Sequence, residues 1–204
     1  MAISNVSSLY YRIHRGAEGA MEFARILDKL LISESQNSNE NYIAYSDRAG
    51  DYKGVDGIRI KGQDKIAFQY KFFPSPLAPD HKSAIKSSLA NAVSKFPEMK
   101  KWIIVIPDDP NKNDLEWFES ISNQVNCTTE MWGHKYIINL MLKHKHLGEE
   151  YYPELINNSL ANNETKSWLS GIKIFLFVLL TLLAVYITYC VSNDKNNHRP
   201  ATIR

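Results

Sequence analysis

Trp102-Ile103-Ile104-Val105-Ile106 is apolar at every position. Successive side chains of a strand point to opposite faces, so a strand with one wet face alternates apolar and polar residues. A run without that alternation has the look of a central strand buried on both faces, with layers packed on each side of its sheet. The segments around it can supply those layers. Residues 16–32 place Ala20, Phe23, Ala24, Leu27, Leu30 and Leu31 at helical spacing, with Glu18, Glu22, Arg25 and Lys29 on the polar side. Residues 33–41 are rich in Ser and Asn and predict a loop. Strands are expected over 42–46, 55–60 and 65–72, with Lys61-Gly62-Gln63-Asp64 as the turn between the last two. Pro74, Pro76 and Pro79 stiffen the next loop, and Asp80 is placed to cap a helix over 81–94. After the apolar run come a helix over 114–125, a strand over 128–132 and a helix over 134–145. The order helix, three strands, helix, strand, helix, strand, helix predicts an α/β domain with a mixed central sheet flanked by helices.

The C-terminal part is of a different kind. Residues 168–191 read WLSGIKIFLFVLLTLLAVYITYCV, and 174–191 are 18 residues without a charge or a proline. That length crosses a hydrocarbon core of roughly 30 Å. Trp168 at one end and Tyr186 and Tyr189 toward the other are placed as interfacial anchors, and Lys173 can snorkel. The expectation is a folded domain over 1–153, a polar linker over 154–167, one transmembrane helix over 168–191 and a short basic tail over 192–204. Lys166 and Lys173 on one side, against Lys195, Arg199 and Arg204 on the other, lean slightly away from an N-terminus-in orientation. The first ten residues lack a basic region followed by an apolar run, so no signal peptide is expected. Cys127 and Cys190 lie in unlike segments and suggest neither a disulfide framework nor a zinc site, which fits a reducing compartment. The net charge of +2 offers no chain-wide electrostatic attraction for nucleic acid, so any such binding must be local.

Two short motifs on adjacent expected strands carry the chemistry. Lys53-Gly54-Val55-Asp56-Gly57-Ile58 supplies a carboxylate, and Phe68-Gln69-Tyr70-Lys71 follows on the next strand. Alternation puts Gln69 and Lys71 on one face and Phe68 and Tyr70 on the other, and a hairpin through Gly62 would bring Asp56 beside Gln69 and Lys71. A carboxylate can hold a hard divalent cation, and an ammonium can steady or deprotonate an attacking water, as a metal-dependent phosphodiesterase requires. The blander readings are a turn aspartate, since Asp-Gly is a common turn pair, and a solvated strand lysine. Lys82 and Lys86 lie one helical turn apart and, with His81, could meet a nucleic acid backbone or form an ordinary wet helix face.

The Asp…Gln-x-Lys arrangement resembles the Mrr-like branch of the PD-(D/E)XK nuclease superfamily, in which Gln replaces the usual second acidic residue. The resemblance runs from about residue 10 to residue 153. It passes through Gly19-Ala20-Met21-Glu22-Phe23-Ala24, Lys71-Phe72-Phe73-Pro74, Ile85-Lys86-Ser87-Ser88-Leu89, Lys101-Trp102-Ile103-Ile104-Val105-Ile106-Pro107, Asp114-Leu115-Glu116-Trp117-Phe118 and Met131-Trp132-Gly133. It implies a restriction-endonuclease-like fold, in which a helix precedes a three-stranded meander bearing the site, and a helix and a parallel strand follow. It implies hydrolysis of DNA phosphodiester bonds by Asp56, Gln69, Lys71 and Glu22. Mg²⁺, or Mn²⁺ in its place, would be held by Asp56, Glu22 and the backbone carbonyl of Tyr70. Glu18, one turn before Glu22, competes for the helical position. Such modules form the nuclease part of bacterial defence proteins. The expected partners are therefore DNA, the lipid bilayer, a second copy of the chain and other defence proteins. The expected location is the inner membrane, spanned once, with the nuclease domain in the cytoplasm. The alternative keeps the fold without the catalysis, as a membrane-tethered module that holds nucleic acid or a protein partner.

Overall fold

The computed structural model describes residues 6–45, 53–157 and 181. Met1–Ile156 forms one compact unit and Asn157–Arg204 another. In the first unit the elements run α1 (Leu9–Arg12), α2 (Ala17–Asn37), β1 (Asn41–Ala44), β2 (Gly57–Lys61), β3 (Asp64–Tyr70), α3 (Pro79–Lys95), β4 (Lys101–Val105), α4 (Lys112–Ser122), β5 (Thr128–Trp132), α5 (His134–Lys143) and α6 (Lys145–Gly148). β1, β2 and β3 form an antiparallel meander, and β4 and β5 add in parallel to give the order β1-β2-β3-β4-β5. α3 and α4 are the crossovers that parallel neighbours need. The result is a mixed α/β sheet flanked by helices, as the order of sequence signals predicts.

β4 lies between β3 and β5, and Trp102, Ile103, Ile104 and Val105 are each at most 1% exposed. Its alternate residues feed two cores. On one face Ile103 and Val105 join Phe68, Tyr70 and Trp132 with Phe23 and Leu27 of α2 and Ile137 and Ile138 of α5. On the other, Trp102 and Ile104 join Ile58 and Ala67 with Ile85 and Leu89 of α3 and Phe118 of α4. Each large apolar side chain buried in this way contributes roughly 1.5–3 kcal/mol.

The polar stretches depart most from expectation. α2 continues through Asn37, across residues that composition assigns to a loop. Tertiary partners hold it there. Ser33 Oγ lies 2.8 Å from His144 Nδ1, His144 Nε2 donates to Glu34 Oε2 at 2.8 Å, and Lys143 Nζ donates to Glu34 Oε1 at 2.5 Å. Polar groups that satisfy one another across two helices override a local preference for a loop. Asp80 is not the cap of α3. That helix starts at Pro79 behind Ala78, and Asp80 sits in its first turn. Proline suits the first helical position because its missing N–H would have had no partner, and an acidic side chain there still favours the positive helix end. α4 starts at Lys112 rather than at 114, because Asn111 Oδ1 accepts from Asp114 N at 2.9 Å.

Leu155 and Ile156, expected at the start of a linker, are buried in the compact unit. Arg12 of α1 ties this segment down. It donates to Tyr151 O at 2.8 Å, pairs with Glu154, and lies 4.3 Å over the Tyr152 ring. The transmembrane helix expected over 168–191 and the tail over 192–204 lie outside the described residues, Thr181 apart. Among the described residues no helix is long and apolar enough to cross a membrane.

The junction of α2 and α5 makes stability depend on pH. Burial alone would raise the Glu34 carboxyl, but the hydrogen bonds and charge of Lys143 and His144 outweigh it and hold the group below its ordinary 4.5. A carboxyl depressed in the folded state contributes stability that is fully present above the unfolded value and is lost as pH falls through the folded one. Glu34→Gln is therefore expected to cost about 1 kcal/mol at neutral pH. In urea denaturation the gap from wild type should close as the pH drops below 4.5.

Candidate active site

The approach to β2 delivers Asp56. Gly54, two residues upstream, has φ +78°, and a Cβ there would come within 2.1 Å of Ser88 O in α3, so only glycine fits. Trp102 Nε1 donates to Gly54 O at 3.2 Å, and Val55 is buried. Asp56 N donates to Phe68 O and Tyr45 N donates to Asp56 O, each at 2.7 Å. The backbone of Asp56 is thus gripped from both sides. Ile58, two residues on, faces α3, and alternation turns the Asp56 side chain to that same face.

Gln69 is in register with Ile104 and fully buried, whereas Phe68 and Tyr70 join the core on the opposite face. Its Nε2 donates to Asp56 Oδ2 at 2.5 Å and to Tyr70 O at 3.3 Å. Tyr70 N also donates to Asp56 Oδ2, at 2.6 Å. Lys71 N donates to Val105 O at 3.0 Å, which carries the extended backbone one residue further. Alternation then sets the half-buried Lys71 on the side of Gln69. Asp56, Gln69, the main chain of Tyr70 and Lys71 therefore meet at one end of the β2–β3 pair.

Glu22 makes other contacts. Tyr151 Oη donates to its Oε1 at 3.3 Å, and Arg25 lies 4.0 Å away. It belongs to α2, which packs against the sheet face opposite Gln69. The α2 carboxylate that reaches β3 is Asp28. Its Oδ1 accepts from Tyr42 Oη at 2.8 Å and from Tyr70 Oη at 3.0 Å, and the two hydroxyls also touch each other. Asp28 is only 8% exposed. Burial first, and then the surrounding charges, Asp28 among them, raise both phenols far above their ordinary range, so both remain protonated donors. The sequence carries a signal for Asp28: it is a charged residue set between Leu27 and Leu30 inside the apolar stripe of α2.

Lys82 is committed to the fold. Its Nζ lies 3.2 Å from Asp114 Oδ1, whose side chain is 1% exposed, and 5.4 Å over the Trp117 ring. Asp114 also accepts from Leu77 N at 3.1 Å and from Ser75 Oγ at 3.2 Å. A carboxylate this buried needs that cation. Lys86, on the same helix, is exposed.

Among the described residues no three His, Cys, Asp and Glu side chains gather as metal ligands. The oxygens around Gln69 nevertheless fit a hard cation. Asp56 Oδ2 and Tyr70 O converge on one Gln69 amide nitrogen, so a group of positive polarity already sits between a carboxylate and a carbonyl. Both are oxygen donors of the kind Mg²⁺ and Mn²⁺ take, and the Gln69 carbonyl would be a third if its amide turned over. Such a site carries one formal negative charge and does not draw on Glu22 as that residue is placed.

No protein-family model matches this chain, and no curated protein matches its sequence.

Gln69→Glu tests the electrostatics of this arrangement. A second carboxylate would stand where an amide now lies 2.5 Å from Asp56 Oδ2. Two carboxylates this close cannot both ionise cheaply, and one should titrate well above its usual range. In EDTA we expect a loss of roughly 1–3 kcal/mol, read by thermal melting, and its recovery on adding Mn²⁺.

Proposed function

We propose that the chain is a metal-dependent endonuclease of the Mrr-like type that hydrolyses DNA phosphodiester bonds from a membrane anchor. One observation carries this reading: Asp56 Oδ2 is shared by Gln69 Nε2 and Tyr70 N at the end of β3, with Lys71 next in the chain. The order of elements supports it. A helix, an antiparallel meander bearing these residues, a crossover helix and a parallel strand follow one another in the order that the resemblance implies for a restriction-endonuclease-like fold.

Asp56 and the carbonyl of Tyr70 are the groups that would hold Mg²⁺ or Mn²⁺, joined by the Gln69 carbonyl once its amide had turned over. When bound, the cation supplies Lewis acidity toward a phosphoryl oxygen and makes water a better nucleophile. Asp56 contributes the negative charge. The fully buried Gln69 amide holds that half-buried carboxylate in place. The Lys71 ammonium orients the attacking water and stabilises charge growing on the phosphate. Glu22 is a supporting residue at most while Tyr151 and Arg25 engage it. Lys86 is the better placed of the two α3 lysines for a DNA backbone, since Lys82 is paired with Asp114. Cutting both strands with one small site favours a homodimer.

Cleavage tests the reading. The full chain in detergent, given plasmid or single-stranded DNA with Mg²⁺ or Mn²⁺, is expected to cut. Asp56→Ala and Lys71→Ala should each lose about 100-fold or more in rate, and EDTA should abolish cutting. The second reading, a nucleic-acid- or partner-binding module without catalysis, is favoured by the lack of a three-ligand cluster among the described residues. Equal DNA binding by all three proteins with no cleavage by any would establish it.

The apolar segment over 168–191 would place the domain on the cytoplasmic side of the inner membrane, where incoming DNA arrives and other defence proteins act. Deleting 168–204 is expected to abolish protection of cells against infecting phage. Undiminished protection by the shortened chain would sink the membrane part of the proposal.

A further inference from the structure

We infer that Asp28 is a positioning residue for this site, acting through Tyr70 from the opposite face of the sheet. The inference rests on the nuclease reading and deepens it. Tyr70 does three things at once. Its N–H donates to Asp56 Oδ2 at 2.6 Å, its carbonyl lies 3.3 Å from Gln69 Nε2, and its hydroxyl crosses to α2 to donate to Asp28 Oδ1 at 3.0 Å. Fixing the side chain therefore fixes the two peptide groups that meet the site.

The backbone needs that help here. Tyr70 is the last residue of β3 and pairs with Val105 of β4 on one side. On the other side the β2 pairing has ended at Gly57 and Phe68, and the Tyr70 N–H is received by a side chain instead of a strand. A strand end held by one ladder frays more readily than its middle. The two phenols share two protons among three contacts, with Asp28 and with each other, and a bond to the carboxylate is charge-assisted, about twice as strong as a neutral one. Gly57 makes the cluster sterically feasible, since a Cβ there would come within 1.9 Å of Tyr42 Oη. A buried aspartate inside an apolar helical stripe costs more than a leucine would, so packing alone does not account for it.

The test uses the full chain in detergent with two readouts: exchange of the Tyr70 amide proton followed by NMR, and Mn²⁺ binding by calorimetry. Tyr70→Phe keeps the ring and removes the hydroxyl that meets Asp28, Asp28→Asn removes the charge, and Tyr42→Phe removes the other hydroxyl, with its contact to Tyr70, but leaves the Tyr70–Asp28 contact. Tyr70→Phe and Asp28→Asn are expected to speed exchange at residue 70 about tenfold and to weaken Mn²⁺ binding about tenfold. Tyr42→Phe should lower the melting temperature comparably yet change both readouts less than about threefold. Equal effects of Tyr42→Phe and Tyr70→Phe, or no change at residue 70 in either Tyr70→Phe or Asp28→Asn, would overturn the inference. If one of these two does not fold, the other decides. Wild type whose Mn²⁺ binding is absent, or survives Asp56→Ala, overturns the nuclease reading instead, and amide exchange alone then reports whether Asp28 positions the Tyr70 peptide.

Discussion

Burying β4 on both faces commits the chain to three layers. A strand with no polar side chain along Trp102-Ile103-Ile104-Val105 must have helices above and below, and α2 with α5 and α3 with α4 provide them. Everything near the candidate site hangs from that strand. β3 lies against it in register, Trp102 reaches out to hold Gly54, and Val105 receives the N–H of Lys71. Loss of packing around β4 would therefore loosen the two segments that bring Asp56 and Gln69 together.

β3 is the boundary between two kinds of pairing, antiparallel toward β2 and parallel toward β4. Its end is where those patterns stop matching, and there side chains take over from the ladder. The Asp56 carboxylate receives the Tyr70 N–H, and the Gln69 amide fills the space between that carboxylate and the Tyr70 carbonyl. Strand alternation gives the two residues separate duties: Gln69 serves the α3 face, while Tyr70 anchors in Asp28 and Tyr42 on the α2 face. A buried amide donating to a half-buried carboxylate is a low-charge way to hold a metal-ready oxygen in place.

Much of this was legible locally. The strand over 128–132, the meander and the order of helices followed from periodicity, because alternation and helical spacing are short-range signals. Asp56 and Gln69 were legible as a pair because a hairpin through Gly62 sets their register. Glu22 was read from the resemblance and Lys82 from helical spacing, yet their neighbours are Tyr151 and Asp114, far away in the chain. Composition alone hides Leu155 and Ile156, whose burial depends on Arg12 holding the chain beside them.

By itself, then, the amino-acid order determined the periodic elements, the two-sided burial of β4 and the pairing of Asp56 with the Gln69 strand. Each rests on contacts between residues close in sequence or on one element's own pattern. Only the tertiary structure decided which α2 carboxylate reaches β3, which α3 lysine is already paired, and how far α2 and the domain extend. Those outcomes turn on buried charges and hydrogen bonds that find their partners across long chain separations. A side chain's type states what it can bond to, but only the packing of layers states what lies within 3 Å of it.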